Sequence, residues 1–357
     1  MVDEERLAEV RKALEAADSA LAAALDARAQ ATKDLAALAA AIPDRYQPLR
    51  AEEAIVQRAR GLVRAFPREP TERIFREVIS ACEALVAPRR VVYDGVEGGF
   101  AHLAARRRFG GSAELRSVDG PEVARDEVAR GRADFALVPF ETSNDGAVTA
   151  TLNALSEGEV KVCSEVTVVA SYELMSSGVA AAGVEKIYGE PAAVAACERF
   201  LRTRYPHAMV LDAPSGEVAA RFCAVEPGAA VVGTDLLRDA HGLTVVHAHI
   251  EDAPGASVRF AVLGTALPSR TGADRTVLAV ATPDEPGALY RVLQPFAERH
   301  VNLTRLESRP ARDKPWPYLF FIELDGHTTD RAVLLALESL RTMARFVKVL
   351  GSYPRPT

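Results

Sequence analysis

Between Asp3 and Ile42 the chain has no Gly or Pro, alanine dominates, and Leu7, Val10, Leu14, Leu21 and Leu25 recur with a three-to-four-residue period. That period gathers them on one helical face and predicts a single long helix, stopped by Pro43. At about 1.5 Å per residue the helix is roughly 60 Å long. Two shorter helical patterns follow, Leu49 to Ala65 and Thr71 to Val86, the second opened by a Thr71 cap after Pro70. Two short helices cannot cover so long an apolar stripe, so a second copy of the chain is expected to cover the rest in an intertwined helical dimer.

At Arg89 the texture changes. VVYDGVEGGF reads as a strand, a glycine-rich turn and a helix start, and the strand-like runs ADFALVPF, VKVCSEVTVVA, HAMVLDA, GAAVVG and LTVVHAHI alternate with helical stretches. This α/β region runs to about Leu267, where PSRTGAD makes a linker. The last segment reads strand (Thr276 to Thr282), helix (Gly287 to Arg299), strand (Asn302 to Arg309), strand (Tyr318 to Leu324), helix (Asp330 to Met343) and strand (Phe346 to Leu350). That order is a split βαβ sandwich of ferredoxin-like type.

Length and composition narrow the function. At 357 residues and 48% hydrophobic, the chain holds two or three cores. A balance of 43 Lys+Arg against 49 Asp+Glu with no long basic block argues against nucleic acid. No apolar run is long enough to span a membrane and the acidic start does not read as a signal peptide, so a cytoplasmic protein is expected. Cys82, Cys163, Cys197 and Cys223 are far apart and form no CxxC pair, which argues against zinc and against a disulfide scaffold; they are expected as reduced, mostly buried thiols. His247 and His249 alternate on one predicted strand and could share a metal, but no third ligand stands at useful spacing. GVEGG lacks the Lys and Ser/Thr of a phosphate loop. Neither metal nor cofactor is expected.

The final segment carries PGALYRVL (Pro286 to Leu293), NLTRLESRP (Asn302 to Pro310) and VLGSYP (Val349 to Pro354). These resemble the motifs of the ACT domain in prephenate dehydratases, where phenylalanine binds between two ACT domains as feedback inhibitor. The resemblance implies a phenylalanine site at Gly287, Ala288, Leu289, Asn302, Leu303, Glu307 and Ser308. Pro286 and Gly287 open a helix whose free amides can take a carboxylate. With that anchor the whole chain resembles the bifunctional chorismate mutase/prephenate dehydratase family. The implied architecture is an all-α chorismate-mutase-like domain (1–88), an α/β two-lobed, periplasmic-binding-protein-like dehydratase domain (89–267) and an α+β ferredoxin-like ACT domain (272–357). Prephenate and chorismate are the implied substrates.

A mutase of this type needs cations that clamp two carboxylates and donors aimed at the ether oxygen. Arg11 and Arg28 match the family's clamping arginines; 17 positions apart, they leave the helix on different faces, one for each subunit's pocket. Glu52 matches the glutamate of the second helix. The lysine expected eleven residues after Arg28 is Ala39, and the Gln or Glu of the third helix is Val86. One such donor is worth about 10²–10³ in rate.

Prephenate dehydration expels carbon dioxide and hydroxide, and hydroxide leaves easily only when protonated by a general acid, worth about 10²–10⁴ in rate. The family's acid is the Thr of a Thr-Arg-Phe triplet; here the triplet is Val258, Arg259, Phe260. Gly99 and Ala101 stand for Thr and Ser in the glycine-rich turn, Thr142 for Asn, Ser171 for His, Gly189 and Glu190 for Ser-His, and Ala195 and Ala196 where Gln is expected. The turn keeps Glu97 and Gly98, the strand-end loop keeps Glu141 and Ser143, and Arg259 and Phe260 remain. Arg259 can hold a ligand carboxylate or form a salt bridge, and Ser143, beside Asn144, Asp145 and Gly146, can serve substrate or shape a turn. Three functions stay open: a working dehydratase with its acid displaced, a phenylalanine sensor with degenerate active sites, and a prephenate decarboxylase that leaves the hydroxyl in place.

Overall fold

The structure, a computed structural model, describes residues 4–39, 48–178, 183–310 and 318–355. The chain divides into two compact units, residues 1–89 with 107–114, and residues 90–106 with 115–357.

The first unit holds α1 (Glu4–Ala39), α2 (Pro48–Leu62) and α3 (Arg68–Ala84). Its 36 residues make α1 about 54 Å long. Within one protomer the predicted stripe is open, with Leu7, Val10, Leu14, Leu21 and Leu25 each 39–61% exposed. The predicted stop at Ile42 and Pro43 lies outside the described residues. Thr71 does not cap α3. The helix begins three residues earlier, and Thr71 sits buried inside it with its hydroxyl donated to Pro67 O at 2.8 Å. Pro70 is tolerated because the first helical turn has no intrahelical use for its amides.

The second unit runs β1 (Arg90–Asp94), α4 (Phe100–Phe109), β2 (Glu114–Val118), α5 (Pro121–Ala129), β3 (Phe135–Thr142), β4 (Gly146–Ala147), α6 (Thr149–Glu157) and β5 (Lys161–Val169), α4 passing into the first unit at Arg107. The chain then crosses to a second lobe of β6 (Glu173–Ser176), β7 (Lys186–Gly189), α7 (Pro191–Ala196), α8 (Glu198–Arg204), β8 (Met209–Asp212), α9 (Gly216–Val225), β9 (Ala229–Gly233), α10 (Asp235–His241) and β10 (Thr244–Ala248), and returns as β11 (Ser257–Gly264). The two crossings lie side by side, Ala170 N donating to Ala256 O at 2.7 Å and Ile250 N to Tyr172 O at 3.1 Å. A five-stranded sheet, β10-β6-β9-β7-β8, forms the second lobe. The α/β alternation makes β9, β7 and β8 parallel, as a crossover helix requires, while β6 and β10 add antiparallel at the other side.

The last segment is β12 (Asp274–Ala281), α11 (Ala288–Glu298), β13 (Leu303–Pro310), β14 (Tyr318–Asp325), α12 (Arg331–Met343) and β15 (Phe346–Pro354), ordered β13-β14-β12-β15 in the sheet. One face carries α11 and α12 on Leu278, Val280, Phe320 and Ile322. Through β15 this sheet runs on into β5, β11, β3, β1 and β2, so that a ten-stranded sheet spans the segment and the first lobe. The joint is a bridge between Gly351 and Val162, where a Cβ on residue 351 would lie 2.4 Å from Val162 O. Only glycine permits that approach. Beside the joint, Val277, Ala279, Phe321 and Tyr353 share a core with Val138, Val162 and Ala261.

Candidate functional site

Strand register sorts the candidate residues of the second unit onto two faces. Val258 pairs with Thr142 on β3 and Val168 on β5, and the next row is Arg259, Glu141 and Thr167. Because successive side chains point oppositely, the two rows lie on opposite faces. On the Val258 face, Thr142 closes a turn: its Oγ1 accepts from Asp145 N at 2.9 Å and donates to Asp145 Oδ2 at 3.1 Å. Ser143 pins that turn to β11, its N donating to Ser257 O at 2.9 Å and its Oγ accepting from Ser257 N at 3.0 Å. The hydroxyl of Ser143 is therefore a fastening of the hairpin. Phe260 is buried.

The glycine-rich turn seats on the second lobe. Gly98 adopts φ +81, its N donates to His102 Nδ1 at 3.1 Å, and its O accepts from Thr234 Oγ1 at 2.9 Å. A Cβ there would lie 2.7 Å from Leu237 Cδ2 and 3.0 Å from Glu217 N, so the contact requires glycine. Glu97 O accepts from Glu217 N at 3.3 Å, Gly99 N donates back to Val96 O at 3.1 Å, and Ala101 is buried in α4. His102 stacks on Tyr93 with ring centroids 5.0 Å apart. Burial lowers the His102 pKa against the pull of Glu97.

The crossings between the lobes add polar groups. Ser171 Oγ and His249 Nδ1 share a hydrogen bond of 2.9 Å, and Ser171 Oγ donates to Glu251 Oε2 at 3.4 Å. His249 takes φ +55, which ends the strand's alternation, while the His247 ring lies edge-on to Phe200 and Tyr205. The two histidines thus turn to different surroundings and do not face one metal. Among the described residues no group of three or more His, Cys, Asp and Glu is placed to hold one. All four cysteines are free and buried, and burial pushes Cys197 up to about 12. Glu190 caps α7 at Ala192 N, and Ala195 and Ala196 follow within that helix. Glu173 went unremarked in the sequence, although a carboxylate inside the run Tyr-Glu-Leu-Met is a legible signal. Its Oε2 is buried without a hydrogen-bond partner, and burial raises its pKa despite Arg238.

On the opposite face the charges are mutually engaged. Arg259 makes a two-pronged contact with Glu323 at 2.6 and 3.1 Å, reaches Glu165 at 3.2 Å and Glu141 at 2.7 Å, and lies over the Phe140 ring. Its pKa is raised; burial works against the charge, and the carboxylate of Glu323 outweighs it. Arg275 and the Tyr353 hydroxyl hold Glu165 at 2.7 and 3.1 Å, and Arg305 holds Glu141 at 2.6 Å. Arg259, Arg275, Arg305, Glu141, Glu165 and Glu323 line a cavity of about 760 Å³. Arg259 and Glu141 therefore stand on the face opposite Val258, each one residue out of phase with it. The signal that could have found their partners was a charge inside an apolar strand, as in Phe-Phe-Ile-Glu-Leu and Cys-Ser-Glu-Val.

In the last segment, Gly287 precedes α11 with φ +77 and is exposed, Ala288 is buried and Leu289 half-buried. Glu307 pairs with Phe321 and Ser308 with Phe320, so they occupy opposite faces of the edge strand β13. Asn302, whose Nδ2 donates to Asp325 Oδ2 at 2.9 Å, and Leu303 lie at the other end of that strand. The five steps from Leu303 to Ser308 are about 17 Å of strand, so one protomer does not gather all seven residues around one amino acid.

In the helical unit, Arg11 is exposed, and Arg28 is half-buried with Nη1 3.5 Å from Val78 O. Along α1 they are about 26 Å apart. Glu52 is 2% exposed, and both its oxygens are occupied, by Arg108 at 2.7 Å, Arg89 at 2.8 Å and Arg76 at 3.3 Å. Burial alone would raise this carboxyl, yet Arg108 and Arg89 hold it below its ordinary value. Its role in this arrangement is an anchor of the helices. Ala39 is the last residue of α1, and Val86 is exposed beyond α3.

A two-lobed α/β domain is continued through one sheet by a βαββαβ segment of ferredoxin-like order. The chain matches the family "Prephenate dehydratase" over residues 91–267 and "ACT domain" over 276–342. It is 32% identical to the bifunctional chorismate mutase/prephenate dehydratase of Aquifex aeolicus, covering 98% of each chain, and 33% identical to that of Pseudomonas aeruginosa, covering 99% of each. The structure of prephenate dehydratase from Arthrobacter aurescens in complex with L-Phe is 34% identical, with a TM-score of 0.63 over 74% of this chain and 89% of that one. This chain belongs to the bifunctional chorismate mutase/prephenate dehydratase family.

Proposed function

We propose that this chain senses phenylalanine through its ACT domain while its cleft and helical domain turn over prephenate and chorismate weakly or not at all. The three segments 1–88, 89–267 and 272–357 are its functional modules, and it works in the cytoplasm as a homodimer or larger homo-oligomer. The observation that carries the reading is the row Thr142, Val258, Val168: at its centre stands a side chain with no proton to give, and the neighbouring Arg259 and Glu141 are engaged on the far face. Glu52, ringed by three arginines, supports the same reading for the mutase. The open stripe on α1 and the separation of Leu303 from Ser308 both favour a second protomer completing the helical domain and the phenylalanine site.

One observation favours an active dehydratase instead. Thr142 lies directly across from Val258 on the same face, Cβ atoms of such a pair being about 5 Å apart, and its hydroxyl is already paired with Asp145. In that case the acid has moved one strand over. NMR-monitored incubation of the purified protein with prephenate separates the readings. Prephenate lost only at the control rate is the expected result. Phenylpyruvate formed by the wild type and lost in Thr142→Val establishes the displaced acid, and a non-aromatic decarboxylated product establishes the decarboxylase.

A further inference from the structure

The two crossings between the lobes meet at one small polar cluster, and the backbone is bent to make it. His249 follows β10 with φ +55, a left-handed conformation unfavourable for a residue with a Cβ. Had the alternation of the strand continued, its ring would have joined that of His247 on the side of Phe200 and Tyr205. The kink instead brings His249 Nδ1 to 2.9 Å from Ser171 Oγ on the other crossing. Backbone strain of this kind clusters where a side chain is aimed for use.

The Ser171 hydroxyl has two acceptors within reach. Glu251 Oε2, at 3.4 Å, already takes the Tyr172 amide at 2.9 Å, so the nearer imidazole nitrogen is the better-placed acceptor for the serine proton. Ser171 is half-buried and His249 exposed, which leaves both open to a ligand. The carboxylates of Glu251 and Glu173 lie beside the pair, and their negative charge favours an imidazolium at His249. One Glu173 oxygen has no hydrogen-bond partner. The cluster adjoins the Val258 row: Ala170 N donates to Ala256 O at 2.7 Å, two residues before Val258 and two after its partner Val168.

We propose that Ser171 and His249 are the nucleophile and general base of an esterase site for small activated carboxylic esters, separate from prephenate chemistry and from amino-acid binding. Ser171 Oγ attacks the ester carbonyl carbon as His249 Nδ1 takes its proton. The bond to the leaving oxygen breaks, and that oxygen departs with the proton from His249. Water then adds to the acyl-serine, giving a proton to His249, and the carboxylic acid leaves as Ser171 Oγ recovers its hydrogen. Each turnover consumes an ester and a water and yields an acid and an alcohol.

Full-length protein with p-nitrophenyl acetate tests the site, and peptide mass spectrometry of acid-quenched samples locates the acetyl group. The expected result is p-nitrophenol released above the no-protein control, with acetyl retained on Ser171. His249→Gln should slow release by about 10²–10⁴, the worth of a general base, and Ser171→Ala should return it to the control. Should Ser171→Ala fold poorly, Ser171→Cys serves: iodoacetamide should alkylate the introduced thiol at least about tenfold faster than in the same protein carrying His249→Gln. Release unchanged in Ser171→Ala, acetyl found only on other residues, equal alkylation with and without His249, or no release above the control each overturns the proposal.

Discussion

The two faces of β11 carry different chemistry. On one, Val258 and Phe260 present apolar side chains; on the other, Arg259 holds its charge among Glu141, Glu165 and Glu323. The charge that remains is the one the fold needs. A buried arginine stripped of its carboxylates is an uncompensated ion, whereas Thr and Val have nearly the same shape, so the proton donor can be lost with the fold intact. Retention of a motif residue is therefore not evidence of chemistry until its face is known.

The largest effect should come from breaking the charged face. Glu323→Ala leaves Arg259 without its two-pronged partner and is expected to cost about 3–5 kcal/mol in urea denaturation; a loss under 1 kcal/mol would show that Glu165 and Glu141 suffice. Glu52→Ala makes the same test in the helical unit, with a similar loss of about 3–5 kcal/mol. Because the native Glu52 pKa is lowered from 4.5, its contribution is complete above that pH and is lost as pH falls through the native value. Stability of the helical unit should therefore fall more steeply as pH drops below about 4.5 in wild type than in Glu52→Gln, as followed by acid titration of the helical signal.

Gly351→Ala sharpens the comparison at the joint between the two halves of the sheet, where the new methyl meets Val162 O. A loss of about 1–3 kcal/mol is expected, without change in the circular dichroism of the second lobe. Ser143→Ala removes one hydrogen bond from the hairpin and should cost about 0.5–1.5 kcal/mol. The smallest stability change belongs to Val258→Thr, within about 1 kcal/mol, yet this is the variant that should raise prephenate turnover, by up to about 10²–10⁴. A Val258→Thr protein as silent as the wild type would mean that more than one proton donor is lacking.

Much of the architecture could be read along the chain. The start of the long helix, the linker near Pro268 and all six elements of the last segment stand within a few residues of their expected bounds, except that β15 runs on to Pro354. Thr71 was misread because a Thr after Pro has the composition of a cap whether or not the helix has already begun. Short strands such as Glu114–Val118 and Lys186–Gly189 escaped notice because four or five residues carry too little periodicity to separate strand from loop.

Periodicity, composition and motif spacing thus determined the kinds of elements, their order and the family, since these depend on which side chains recur at 3.6 or 2 residues. Only the tertiary structure decided which face each motif residue serves. Register placed Arg259 and Glu141 away from Val258, separated Glu307 from Ser308, and closed three arginines on Glu52. Those outcomes depend on partners up to 188 residues away in sequence, as between Tyr353 and Glu165. A local pattern holds no information about such a partner, and the energy of a buried charge is set by what surrounds it.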